Sequence, residues 1–229
     1  MNLQTSPRMK RVLLGLMSCF ALFFFSCGDF FTTSLASWAR RDPSSLIPPV
    51  TAGNVSELLE LTENNPDQAL ALLKGIKDAG AGPTLQAAAL QAASNASGLG
   101  AAILQHADDI GNINETNAKE IVIDTLNGLG NVVEAGTVLE EILPDPSSAA
   151  DWNAFVAVSG AEDLAMAAAL LLAGKAKASG DPDAYITGFS SISSPDSTEV
   201  LAKELADAAR NKHSGGGFLE DILSGLNLT

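Results

Sequence analysis

Few residues in this chain have side chains suited to covalent or metal chemistry, and their spacing limits what they can do. There are two histidines and two cysteines in 229 residues. His106 is followed by Asp108 and Asp109, the latter about one helical turn further on. A metal site needs three or four converging ligands, and no other ligand-type residue stands at metal-binding spacing, so this pattern is that of a polar helix end. His213 adjoins Ser214 and Gly215-Gly216-Gly217 and reads as linker. No G-x-S-x-G elbow is present to support a Ser-His-Asp triad. The glycine-rich spots at 98–100, 128–130 and 215–217 follow no strand and lack a Lys-Ser/Thr ending, which makes them helix C-caps and not phosphate loops. Asp145-Pro146 and Asp181-Pro182-Asp183 read as helix starts, because a calcium loop needs a longer D-x-D-x-D-G run. Glu140-Glu141 and Asp108-Asp109 are carboxylate pairs of the kind used in acid/base catalysis, but a solvated acidic face is the favoured reading of both. These residues assign no catalytic group, metal or cofactor.

The sulfur of Cys27 has the most specific surroundings. Arg8, Lys10 and Arg11 precede a run at 12–25, VLLGLMSCFALFFF, that is almost wholly apolar. This is the charged region and short apolar core of an export signal. It falls short of the roughly 20 apolar residues that a spanning helix needs. The run ends at Ser26, directly before Cys27. Together these features resemble a bacterial lipoprotein signal with its lipobox, in the looser, spirochaete-type form, since Phe24 and Phe25 stand where the stricter pattern has Leu and a small residue. The resemblance implies cleavage after Ser26, acylation of Cys27 by diacylglycerol and further fatty acid such as palmitate, and a mature chain without a disulfide. Cys19, after Leu16-Met17-Ser18, offers a second register, but its apolar core would be only about six residues long. An uncleaved anchor, or cleavage by an ordinary signal peptidase, are the other readings of the same segment.

Composition narrows the classes further. The formal charge is −14, and it becomes −17 once Arg8, Lys10 and Arg11 leave with residues 1–26. Nucleic-acid binding needs a basic face, so this balance argues against it. An acidic body is also repelled by anionic headgroups, so membrane attachment falls to the lipid on Cys27. Hydrophobic residues make up 46% of the chain and aromatics only 5%. A core of Ala and Leu suits close-packed helices better than a sheet.

The elements that must position any surface divide into three regions. Residues 1–26 are the signal and 27–53 a Pro/Ser-rich tether. Residues 54–229 form an all-α body. Within the tether, Phe30, Phe31, Leu35 and Trp38 suit either the membrane interface or a short helix on the body, and Arg40-Arg41 can meet headgroups. In the body, Asn54, Asn65-Pro66, Pro83, Asn114 or Thr116, Pro146, Asp181-Pro182 and Ser194-Pro195 mark helix starts. Glycines mark most of the ends. The segment 161–178 contains LAMAAALLLA, apolar on every side, and predicts a central buried helix. Phe218, Leu219, Ile222 and Leu223 suggest a last amphipathic turn or two.

Helical hairpins starting near 54, 83, 117, 147 and 182 recur every 30–35 residues, the period of stacked helical-pair repeats. Leu172-Ala173, Gly180-Asp181, Asp183, Ile186, Phe189 and Pro195, together with 65–76 (NPDQALALLKGI), resemble a tetratricopeptide repeat. That resemblance implies an α-solenoid with a groove for a peptide, the alternative being an irregular α-helical bundle. Trp152, Phe155, Tyr185 and Phe189 are the aromatics available as groove anchors, or else core residues. The expectation is a non-enzymatic interaction or scaffold lipoprotein of the bacterial envelope, with the outer membrane favoured over the inner. The alternatives are a small-ligand or lipid-binding lipoprotein with a cavity, and an enzyme of unrecognised type.

Overall fold

The computed structural model describes residues 47–80, 82–105, 118–188 and 194–212, all within the unit Pro43–Thr229. Ser26, Cys27, Phe189, His106, Asp108, Asp109, His213 and the segment 218–223 lie outside the described residues. Among those described there are ten α-helices and no strand: α1 (Val55–Thr62), α2 (Pro66–Ala79), α3 (Pro83–Ser97), α4 (Leu99–Gln105), α5 (Ala118–Gly128), α6 (Val132–Ile142), α7 (Ala149–Val158), α8 (Ala161–Ala178), α9 (Pro182–Gly188) and α10 (Ser197–Lys212). The fold is all-α.

Local chemistry explains most boundaries. Asn65 opens α2 by accepting a hydrogen bond from the Gln68 N–H at 3.1 Å, with Pro66 in the first helical turn. Gly98 ends α3 in the left-handed conformation (φ 72°), its N–H bonding to the Ser94 carbonyl at 3.1 Å. Glu162 and Asp163 begin α8 and Lys175 and Lys177 end it, each matching the helix dipole.

One helix starts where expected but without its side-chain cap, and another starts later than expected. Asn54 does not cap α1. Its side-chain oxygen accepts from the Thr51 N–H at 2.8 Å and its amide donates to the Pro49 carbonyl at 3.0 Å, which closes a turn ahead of the helix. Pro146 does not open α7 either. Asp145 accepts from the Ser147 N–H at 2.8 Å, and this turn delays the helix to Ala149.

Three helices form the centre. α3 carries no charged residue and buries Leu85, Ala88, Ala89, Leu90, Ala92, Ala93 and Ala96. Its small side chains leave room for α1, α2, α6, α7 and α8 to pack around it. α8 is buried on most of its surface, through Leu164, Leu170, Leu171, Leu172 and the alanines between them, and packs most extensively on α10 and α6. α6 lies against α2, α3 and α8. The backbones approach closely where α6 and α8 cross: a Cβ on Gly174 would sit 3.1 Å from the Val132 carbonyl oxygen. Buried Gln86 adds a polar tie, donating from α3 to the Ile142 carbonyl at 3.3 Å.

The order of contacts bears on the repeat. In a solenoid each unit touches only its neighbours. Here α3 packs on α7 and α8, and α2 on α6, which skips a hairpin each time. These contacts follow the bundle arrangement, the other packing open to the sequence. At the start of the body, Val50 is buried in the core beside Gly75, so the last residues of the segment read as tether pack on the helices.

Candidate functional site

Of the four aromatic residues singled out as anchors, the three described, Trp152, Phe155 and Tyr185, do not share a surface. Phe155 is fully buried and Trp152 is buried beside it, with ring centroids 5.5 Å apart and planes tilted by 56°. Both belong to the core, so neither is a surface anchor. The reason lies in packing: α7 is short and lies on α3, and these two residues are its buried pair.

Tyr185 is half-buried and joins a polar node where α6, α8, α9 and the start of α10 meet. Its hydroxyl donates to Glu199 Oε1 at 2.9 Å. Glu199 is only 7% exposed. It also receives Lys175 Nζ at 3.0 Å and the Asp196 N–H at 2.9 Å. Lys175 pairs with Asp196 as well. Glu140 on α6 accepts the Ser197 and Thr198 hydroxyls, both at 2.9 Å. Burial pushes the Glu199 carboxyl up, but the Asp196 N–H, Lys175 and Tyr185 outweigh it and hold it below its usual value. Asp196 is lowered in the same way: burial opposes the shift, and Lys175 with the Glu199 and Thr198 N–H groups produces it. Burial, then the hydrogen bond to Glu199, raises the Tyr185 hydroxyl, so it stays protonated and cannot act as a base near neutrality. The node is a structural clamp.

One expected result follows from these carboxylates. A carboxyl lowered on folding stabilises the fold above its unfolded pKa, and that contribution is lost as pH falls through the folded value. The resistance of the full chain to urea should therefore drop as pH falls below about 4, and Glu199→Gln should flatten that part of the profile. A profile identical in the two proteins would remove Glu199 from the clamp.

The Glu140-Glu141 pair is split by the fold. Glu140 holds the start of α10, whereas Glu141 pairs with Lys77 on α2, which raises the Lys77 ammonium. Their separate partners leave no acid/base pair. Two lysines do something that spacing did not reveal. Lys177 reaches the carbonyls of Leu126, Asn127 and Leu129 at the end of α5. Lys212 reaches those of Val156, Ala157 and Ser159 at the end of α7, at 2.5, 3.3 and 2.6 Å. Each places a positive charge at another helix's negative end.

An open groove of about 380 Å³ lies between α1, α3 and the start of α8. Ser56, Leu59, Glu60 and Glu63 form one wall, Gln91, Ser94 and Asn95 the floor, and Asp163 the other wall. Gln91 donates to Asp163 across it at 3.3 Å. Elsewhere on α1, Leu61 is 68% exposed. Nothing in the sequence reading pointed to this place. Its polar residues lie on three helices far apart in the chain, and α1 shows only as an ordinary acidic amphipathic helix. Among the described residues no group of His, Cys, Asp or Glu could hold a metal ion, and no single helix is long and apolar enough to cross a membrane. Comparison of the chain with protein-family models, with curated proteins and with solved structures finds no match.

Proposed function

We propose that the protein is a lipoprotein of the bacterial cell envelope, held to a membrane by a lipid on Cys27, whose helical body is a non-enzymatic interaction module. The observation that carries this reading is the run from Arg8 through the apolar segment 12–25 to Ser26-Cys27. The body fits the role. It carries a strong negative charge that keeps it off anionic headgroups, so the lipid anchors and the helices face away from the bilayer. One acyl chain binds only marginally, and the several chains of a mature lipoprotein hold firmly. Tethering raises the local concentration of the body for any partner in the same compartment. The groove between α1, α3 and α8 offers carboxylates, amides and hydroxyls with one leucine, a lining suited to a polar partner and unsuited to an acyl chain.

Intact mass measurement of the protein purified from its own membranes tests the anchor. The expected product begins at Cys27 and carries diacylglycerol. Cys27→Ser should move the protein from the membrane to the soluble fraction and leave residues 1–26 attached or cut elsewhere. Recovery of wild-type protein with an unmodified Cys27 thiol would refute the proposal.

A further inference from the structure

We propose that residues 47–54 form a latch on α2 that sets the free length of the membrane tether. It is closed when the Val50 side chain fills the notch at Gly75 and open when that side chain leaves. The latch stands on this packing alone, whereas its effect on reach rests on the proposed lipid at Cys27.

The segment is built around one side chain. Pro48 and Pro49 are exposed, Val50 is buried, and Ile47 packs partly buried against the core. Proline fixes φ and has no N–H, so the two prolines keep the approach to Val50 extended. Asn54 brackets Val50 from behind. Its side-chain oxygen accepts from the Thr51 N–H at 2.8 Å and from the Thr51 hydroxyl at 3.1 Å. Its amide donates to the Pro49 carbonyl at 3.0 Å. One side chain thus ties together the residues before and after Val50.

Gly75 supplies the other half. It lies inside α2, away from both ends, where glycine is less favourable than alanine. A Cβ added there would meet Val50 Cγ2 at 2.9 Å, closer than carbon atoms pack. Among the described residues outside α2, every atom within 4 Å of that position belongs to Val50. The notch therefore gives this glycine its reason. The overlap involves the end of a short side chain on a segment outside the helices. Val50 can leave and relieve it while α2 stays intact.

The latch is weaker than the helices it rests on. It inserts Val50 with Ile47 alongside, whereas α2 alone buries Ala69, Leu70, Ala71, Leu72, Leu73 and Ile76. A segment with few buried contacts opens locally, at less than the free energy of global unfolding. Closed, the latch leaves residues 28–46 as free chain, with a reach of at most about 65 Å. Open, it frees residues 28–54, and the limit becomes about 95 Å.

The test reads hydrogen exchange of the full acylated chain in neutral detergent, resolved to the Thr51 amide, with Leu170 and Leu171 of α8 as reference. Thr51 should exchange about tenfold or more slowly than in a free peptide of residues 47–54. Gly75→Ala should speed it by about tenfold and leave Leu170 and Leu171 within about twofold. The urea midpoint should hold or rise, because α2 gains helix propensity. Val50→Ala should also release Thr51, and adding Gly75→Ala to it should change the rate by less than about twofold. Wild-type Thr51 at the free-peptide rate, or still protected in Gly75→Ala, would overturn the latch. So would equal acceleration at Thr51 and Leu171, or additive effects of the two substitutions. In phosphatidylcholine vesicles, Gly75→Ala should lower energy transfer from a dye on Asn153→Cys to rhodamine-labelled headgroups. Unchanged transfer with Thr51 released would overturn control of reach. A missing lipid on Cys27 refutes the anchor, and the exchange rates still decide the latch.

Discussion

Phe155→Ala should lower the free energy of unfolding of the body by about 3–5 kcal/mol. The ring is fully buried against Trp152 in the core. Truncation removes its transfer free energy and leaves a cavity that the surrounding helices fill only in part. A domain of this size has a total stability of about 5–15 kcal/mol, so the change consumes a large fraction of it. Urea titration of the full chain, followed by circular dichroism, gives the number. A loss under about 1 kcal/mol would mean that the ring is not packed as described, and would return Phe155 to the list of surface anchors.

Gly174→Leu should be comparably damaging, at about 3 kcal/mol or more, for the opposite reason. At the α6–α8 crossing a Cβ already stands 3.1 Å from the Val132 carbonyl oxygen. Backbone is the obstacle there, so no side-chain rotation relieves the overlap. A leucine must push α6 away from α8 and with it the neighbouring Gly136–Leu170 contact. Gly174→Ala is the informative milder case. Alanine gains about 1 kcal/mol of helix propensity over glycine, and the close contact offsets this gain. Gly128, at the end of α5, has nothing within 4 Å of a Cβ. Gly128→Leu should therefore change stability by about 0.5 kcal/mol or less. If the two leucine variants melt together, the crossing does not depend on Gly174.

The clamp and the groove show two uses of carboxylates in one acidic body. At the clamp, three helices bring Lys175 and Tyr185 onto Glu199, and each oxygen of that carboxylate has a donor. In the groove, Glu60 and Glu63 meet no cation among the described residues. Residue type does not distinguish Glu199 from Glu63. Their neighbours across the fold do.

The sequence by itself determined the all-α class, the helix at 161–178 and most helix boundaries. These depend on residues within one or two turns of each other. Pro66 and Pro83 in first turns, glycines 80 and 98 after last turns, and an alanine-leucine run without polar interruption act locally, so they are visible in one dimension. The pattern around Cys27, on which the proposed function rests, is likewise a run of neighbouring residues. Tertiary structure alone decided which helices pair. Hairpin spacing suggested neighbour-to-neighbour stacking, yet α3 reaches α7 and α8, because its alanine surface admits partners from any distance in the chain. It also decided that Trp152 and Phe155 turn inward, that Glu140 and Glu141 serve different helices, and that Ser94, Glu63 and Asp163 share a groove. Burial and charge pairing depend on what packs opposite a residue, and that information is spread over segments up to a hundred residues apart.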